Sequence, residues 1–237
     1  MATERRRKRQ SGQEIIEFGL TAIFFVPIFL GTFVVGMNLI RSIQCNQVIR
    51  DLDDMYIHGA DFSTQPMQQE AQRLAQGLNL QISGFSGDSA GHEQANTTNS
   101  GNGLITVTEI MWIGSTTSPN CVAVGASNCT NANSFVYLQQ IQFGNGNLAN
   151  SSTVTLGTPS GATINDSGMV SNYVTDSHAR LASGPQAAMQ SMWQTTNNGQ
   201  AALADGQVVY IVEGYFQSPD LSVGSLSGNG VYARYFF

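Results

Sequence analysis

The sequence predicts an α+β protein, in which a long N-terminal helix serves first as a transmembrane segment and then as a spine packed against an antiparallel β-sheet head. Three observations predict it. The 23 residues from Phe18 to Ile40 carry no charge and follow a basic leader, Arg5-Arg6-Arg7-Lys8-Arg9. Apolar residues then continue at three- and four-residue steps as far as Tyr56. Beyond Leu78 the pattern changes to β-branched and aromatic runs separated by Gly, Asn, Ser and Pro clusters.

The uncharged run is long enough to cross a bilayer, because a helix rises about 1.5 Å per residue and a hydrocarbon core is about 30 Å thick. Its basic cluster lies on the N-terminal side alone. Such clusters stay cytoplasmic, so the chain reads as a single-pass protein, N-in and C-out, with everything after the span exported. The apolar stripe Leu39, Ile43, Ile49, Leu52 and Tyr56 extends the helix from about Gln13 to about Ile57, with Gly59 as its stop. Asp51, Asp53 and Asp54 are read as a solvated face of that spine. Pro27 removes one backbone hydrogen bond within the span and is expected to kink or loosen the helix there.

After the spine, Gln65-Pro66 opens a second helix reaching Leu78, with Met67, Ala71, Leu74 and Leu78 on one face. Strands are expected at Leu104–Ile113, Ser134–Phe143, Thr153–Leu156, Gln207–Phe216 and Val231–Phe237, and a further short helix at Gln186–Trp193. The intervals Ser83–Gly103, Gly144–Ser152 and Ser218–Gly230 read as loops. The chain thus divides into a basic leader (1–12), the long helix (13–58, spanning the membrane at about 18–40) and an exported β-rich head (59–237).

Beyond Arg9 there are five arginines, no lysine and fifteen acids, which argues against a nucleic-acid-binding face on the exported part. Cys121 and Cys129 bracket a short Gly/Ala/Ser/Asn stretch on the exported side, where oxidation can occur, and are read as a local disulfide rather than two unpaired thiols. Cys45 stands alone on the spine and reads as a small buried contact. No cysteine and histidine spacing makes a metal site. His58, His92 and His178 are isolated, Gly84–Gly103 lacks the lysine of a phosphate cradle, and no cofactor motif is present. Nothing in the sequence argues for an enzyme.

The mouth of the span is unusual. In Ser11-Gly12-Gln13-Glu14-Ile15-Ile16-Glu17-Phe18 a glycine ends the leader and two carboxylates stand where the apolar run begins. A carboxylate in or beside hydrocarbon is costly without a partner and usually marks a function. Cleavage after Gly12 would put a new amino group on Gln13 and make Glu17 the fifth residue of the mature chain. These residues resemble the type IV pilin superfamily, whose precursors are cut after a glycine and carry Glu five residues on. The resemblance is closest to the tight-adherence (Flp/Tad) branch and its TadE-like pseudopilins, although Phe18 stands where that branch usually has Tyr. It covers about the first fifth of the chain.

The resemblance implies a pilin-like fold and a structural role. A prepilin peptidase would process the Gly12–Gln13 bond, and Glu17, with Phe18 and Glu14 beside it, would act in assembly. Partners would be other pilin subunits, met through the N-terminal helix, the inner-membrane assembly machinery, and lipid before assembly. The chain would move from the inner membrane to a filament or the cell surface, for adhesion or secretion. The size of the head favours a minor pilin or pseudopilin over a principal subunit. A plain signal anchor or a removed signal peptide would explain the apolar run but not Glu17. The second class of function is a membrane-anchored binding protein whose β-rich head recognises a ligand while the helix only tethers it.

Overall fold

The computed structural model describes residues 2–82, 95–150, 156–193, 203–217 and 230–237, and for residues 2–12, 95, 96 and 150 the backbone alone. Helix α1 runs Ala2–Ile57, 56 residues, or about 84 Å. It starts within the leader rather than near Gln13. Glu, Arg, Lys and Gln are good helix formers, so the basic segment prolongs the helix it precedes. The helix is continuous through Pro27. It ends in a Schellman motif: Gly59 takes φ +88°, its N–H donates to the Tyr56 carbonyl (3.0 Å), and the Ala60 N–H donates to that of Met55 (3.0 Å).

The Asp61 carboxylate accepts from the Ser63 N–H (2.9 Å) and hydroxyl (2.6 Å), turning the chain into α2, Gln65–Leu74. A 3-10 turn, Gln76–Leu78, follows, and Asn79 closes it at φ 56°. The expected second helix is therefore α-helical only to Leu74.

Five strands form one sheet in the order β1-β3-β2-β4-β5. They are β1 Ala95–Thr98, β2 Gly103–Ile113, β3 Ser134–Asn145, β4 Val208–Phe216 and β5 Val231–Phe236. Four match the expected runs to within two residues at each end. The exception, β1, lies inside the interval read as a loop, and it pairs parallel with β3 while all other pairs are antiparallel. Its residues, Ala-Asn-Thr-Thr, carry no alternation of their own, so the pairing comes from the edge that β3 offers. Of the expected strand Thr153–Leu156, residues 153–155 lie outside the described residues, as do 83–94 and 218–229 of two expected loops. The third, Gly144–Ser152, begins with the end of β3 and a 3-10 turn, Gly146–Asn150. The last expected helix is α4, Ser183–Trp193.

One residue decides how both sheet faces are filled. Glu109 pairs with Gln139 but Ile110 pairs with Tyr137, so Leu138 bulges out of β3. The bulge reverses the alternation. Before it, Phe135 and Tyr137 join the core on the face away from α1; after it, Ile141 and Phe143 join the core beneath α1. Core residues on the α1 side include Cys45, Val48, Ile49, Leu52 and Tyr56 from the helix, Ala71 and Ala75 from α2 and the residue after it, and Ile105, Val107, Val212 and Ala233 from the sheet. The opposite face buries Ile110, Trp112, Leu156, Val170, Leu181 and Met189.

At the end of the head farthest from the span, α3 (Pro119–Val124) lies over Met111, Ile113 and Val136. Cys121 and Cys129 are bonded there, with Cα atoms 5.1 Å apart. Asp205 fastens the same cap, accepting from the N–H of Gly114 (2.7 Å) and from the backbone (3.1 Å) and side chain (3.0 Å) of Asn120. Burial pushes the Asp205 carboxyl up, but these hydrogen bonds outweigh it and hold the group below the usual carboxylate range. Cys129→Ser is expected to lower head stability by about 2–4 kcal/mol in urea unfolding, because the crosslink restricts the unfolded chain. An unchanged midpoint would show that the Asp205 contacts hold the cap alone.

Candidate functional site

From Gln13 to Phe33 the side chains of α1 are exposed, apart from the half-buried Ala22. From Ile15 to Ile43, sixteen large apolar side chains are 49–76% exposed; they lie on every side of the helix as far as Phe33, after which Val34 is buried. A helix apolar all round belongs in a membrane or among other apolar helices, because a soluble surface helix would keep a polar face. This is one helix long and apolar enough to cross a membrane, near the N-terminus. Within it the Gln13 amide donates to the Glu17 carboxylate (3.4 Å), one turn along, and the Glu17 carbonyl accepts from the Thr21 hydroxyl (2.8 Å). Glu14 and Phe18 are exposed beside them, and Gly12 lies in the same helix. The residues expected at the processing and assembly site thus lie close together on one helix, more than 25 residues before Cys45, where the docked stripe begins.

Cys45 marks the change of role. Its thiol is buried and 4.0 Å from the Val231 carbonyl oxygen, and burial pushes its pKa up to about 12. The docked stripe then runs Cys45, Val48, Ile49, Leu52, Tyr56. Leu39 and Ile43, expected to belong to it, are 61% and 50% exposed. Those two residues therefore belong with the exposed apolar segment rather than with the docked face. At the top, the Tyr56 hydroxyl donates to Gln139 Oε1 (2.8 Å), and Gln139 Nε2 donates to the Ser167 carbonyl (2.7 Å). Gln139 therefore ties the spine, the sheet and the outer layer together. Nothing in the sequence distinguishes it from its neighbour Gln140, because which one faces α1 depends on the bulge at Leu138.

The acidic triplet is divided by the structure. Asp51 and Asp54 are exposed, but Asp53 is 2% exposed and its Oδ1 has no hydrogen-bond partner among the described residues. The reason is spacing: Asp53 is four residues after Ile49 and three before Tyr56, inside the docked face. Burial, with the Asp54 charge beside it, pushes its pKa up to about 6. A raised carboxyl favours the fold when protonated. Its contribution is complete below the unfolded value near 4 and is lost as pH rises through about 6. Asp53→Asn is therefore expected to stabilise the head at pH 7.5 by about 1–2 kcal/mol, discounted for solvent screening, and to change little at pH 4. Thermal melts at the two pH values check it; equal shifts at both would count against a titrating Asp53.

The histidines sit apart. His58 Nδ1 lies 2.6 Å from the Asp54 carbonyl oxygen, His178 pairs with Asp176 (3.0 Å), and His92 is outside the described residues. Among the described residues no group of three or more His, Cys, Asp or Glu side chains could hold a metal ion. No family model, no curated protein and no solved structure matches this chain. What stands is an α+β protein with one N-terminal helix able to span a membrane and a mostly antiparallel five-stranded head.

Proposed function

We propose that the chain is a structural, pilin-like subunit, inserted in the inner membrane through α1, processed by a prepilin peptidase after Gly12 and assembled through the same helix into a pilus-like filament. One observation carries the proposal. A single helix combines an apolar stretch, Ile15 to Phe33, exposed on every side, with Glu17 at its mouth, and a later stretch locked into the head through Cys45, Ile49, Leu52 and Tyr56. A mere tether does not need that continuity, since a flexible linker would hold a binding head as well. In a bundle of such helices the rigid joint fixes where each head stands relative to its neighbours.

Cleavage separates this reading from a membrane-anchored binding protein. Intact-mass measurement on the surface-exposed protein is expected to give a chain beginning at Gln13, and Gly12→Leu is expected to keep the leader. A mature chain that still contains Arg5 to Arg9 would leave the anchored binding protein as the better account.

A further inference from the structure

The uncharged run Phe18–Ile40 is not open along its whole length. Up to Phe33 it is exposed all round, and from there the exposure becomes one-sided. Val34 is 9% exposed, and Met37, Asn38, Arg41 and Ser42 are half-buried. Val34, Asn38, Arg41 and Cys45 follow one another at steps of four, three and four, so they share the side of α1 that the head occupies from Cys45 onward. Val35, Leu39, Ile40 and Ile43, 50–68% exposed, turn away from it. Protein cover therefore begins about 10 Å of helix before the run ends at Ile40.

The foot of the head is polar at this level. Asn79, Asn102 and Gln217 line a recess beside Arg41. Their loop segments are joined through the backbone, the Asn102 N–H donating to the Asn79 carbonyl (3.0 Å) and the Gln217 N–H to the Asn102 carbonyl (2.7 Å). Loop backbone facing acyl chains is left with unsatisfied polar groups, so such a surface does not stand in hydrocarbon.

The two possible placements of the bilayer are unequal. Hydrocarbon over Phe18 to Ile40 would sink the protein cover at Val34 and Asn38 into the acyl chains, on one side of the helix only. Hydrocarbon over Gln13 to Phe33 surrounds about 31 Å of helix, against a core of about 30 Å. Val34 to Ile40 then crosses the headgroup layer, and Arg41 emerges beside the polar foot. The cost falls on the cytoplasmic side, where Glu17 is drawn about 6 Å past the boundary at Gln13. One carboxylate near a boundary is tolerated through local thinning and water, whereas a polar loop surface in acyl chains is not.

We propose that the head, rather than the length of the apolar run, sets the depth of insertion: its foot rests in the exported headgroup layer, hydrocarbon surrounds Gln13 to Phe33, and Glu17 stands inside it. This rests on the reading of α1 as a span. It deepens that reading, because a boundary at Phe18 would leave Glu17 in water with no need of a charged partner.

The test places nitroxide side chains singly at exposed positions of α1, from Phe18→Cys to Ile40→Cys, in the full chain in phosphatidylcholine–phosphatidylglycerol nanodiscs. Depth is read from the ratio of collisions with oxygen to collisions with a nickel chelate. Cys45 is buried and Cys121 and Cys129 are bonded to each other, so wild type serves as the unlabelled control. Near-UV circular dichroism shows that each head is folded. The ratio is expected to peak near Ile23, the middle of Gln13–Phe33, with labels at Leu39 and Ile40 open to the chelate. A peak near Phe29, the middle of Phe18–Ile40 and about 9 Å away, overturns the proposal. Ile40→Lys, at a half-exposed position, is expected to leave the peak at Ile23. A peak that moves toward the cytoplasmic side in that variant would show that run length sets the depth, and overturns the proposal as well. No peak anywhere along α1 would remove the span itself, a result distinct from a displaced peak in an inserted chain.

Discussion

Gly214→Val is expected to destabilise the head by about 3 kcal/mol, the upper part of the usual range for overfilling a packed core. Gly214 sits in β4 between Ile105 of β2 and Ala233 of β5, directly under the spine. A Cβ at this position would lie 2.2 Å from Ile49 Cδ1 and 2.7 Å from Ile49 Cγ1. Ile49 is wholly buried among Cys45, Leu52, Val212 and other core residues, so it has little room to turn away. The glycine is what lets α1 lie close to the sheet. Ile49→Ala alone is expected to cost about 3 kcal/mol through the cavity it leaves. Placing Gly214→Ala in that background fills part of the space, so the double variant is expected to be more stable than the sum of the two changes by about 1 kcal/mol or more. Urea unfolding of the full chain in mild detergent, followed by tryptophan fluorescence, measures these variants together with Gly214→Ala alone, which completes the cycle. Strict additivity would show that α1 does not press on β4 at this point.

Gly214 also shows where the sequence stops being readable. The run Val208-Val209-Tyr210-Ile211-Val212-Glu213-Gly214-Tyr215-Phe216 announces a strand through its β-branched and aromatic residues, but the glycine within it says nothing about what crosses above. The span was legible for the opposite reason. Phe18 to Ile40 is defined by composition alone, and composition does not depend on partners. Features created by tertiary pairing were not legible. Leu138 looks like any strand residue until its register against Glu109 and Ile110 is known, and that register decides whether Gln139 or Gln140 meets Tyr56. The strand at Ala95–Thr98 exists because β3 has an open edge. Asp205, 91 residues from Gly114, becomes a fastening for the disulfide cap only through folding. Asp53 was readable and was misread: its place relative to Ile49 and Tyr56 puts it on the docked face, yet its charge and its two acidic neighbours pointed to solvent.

Glu17→Ala is expected to leave synthesis, insertion and processing after Gly12 largely intact while reducing incorporation into filaments by more than about tenfold, since each 1.4 kcal/mol is a factor of ten. The argument begins with cost. An ionised carboxylate placed in hydrocarbon costs about 3 kcal/mol on insertion scales, and more without a partner. The Gln13 side chain one turn away offers a neutral amide at 3.4 Å, which cannot balance a charge. Cleavage after Gly12 would create a positive amino group at Gln13, and on a neighbouring helix shifted along the axis that group could meet Glu17. Two otherwise uniform apolar helices would then have one preferred register. Phe18, 76% exposed beside Glu17, adds apolar contact but no register of its own. Glu14 would lie nearer the end of a chain cut after Gly12, where headgroups and water would solvate it, so Glu14→Ala is expected to reduce incorporation less. Glu17→Gln separates charge from shape, because it keeps the size and hydrogen bonding of the side chain and removes the ion pair. Quantitative mass spectrometry of sheared filaments, normalised to processed chain in the membrane, reads all three variants. If Glu17→Gln chains enter filaments at the wild-type level while Glu17→Ala chains do not, hydrogen bonding sets the register; if both enter at that level, the carboxylate serves insertion alone and the charge pair is rejected.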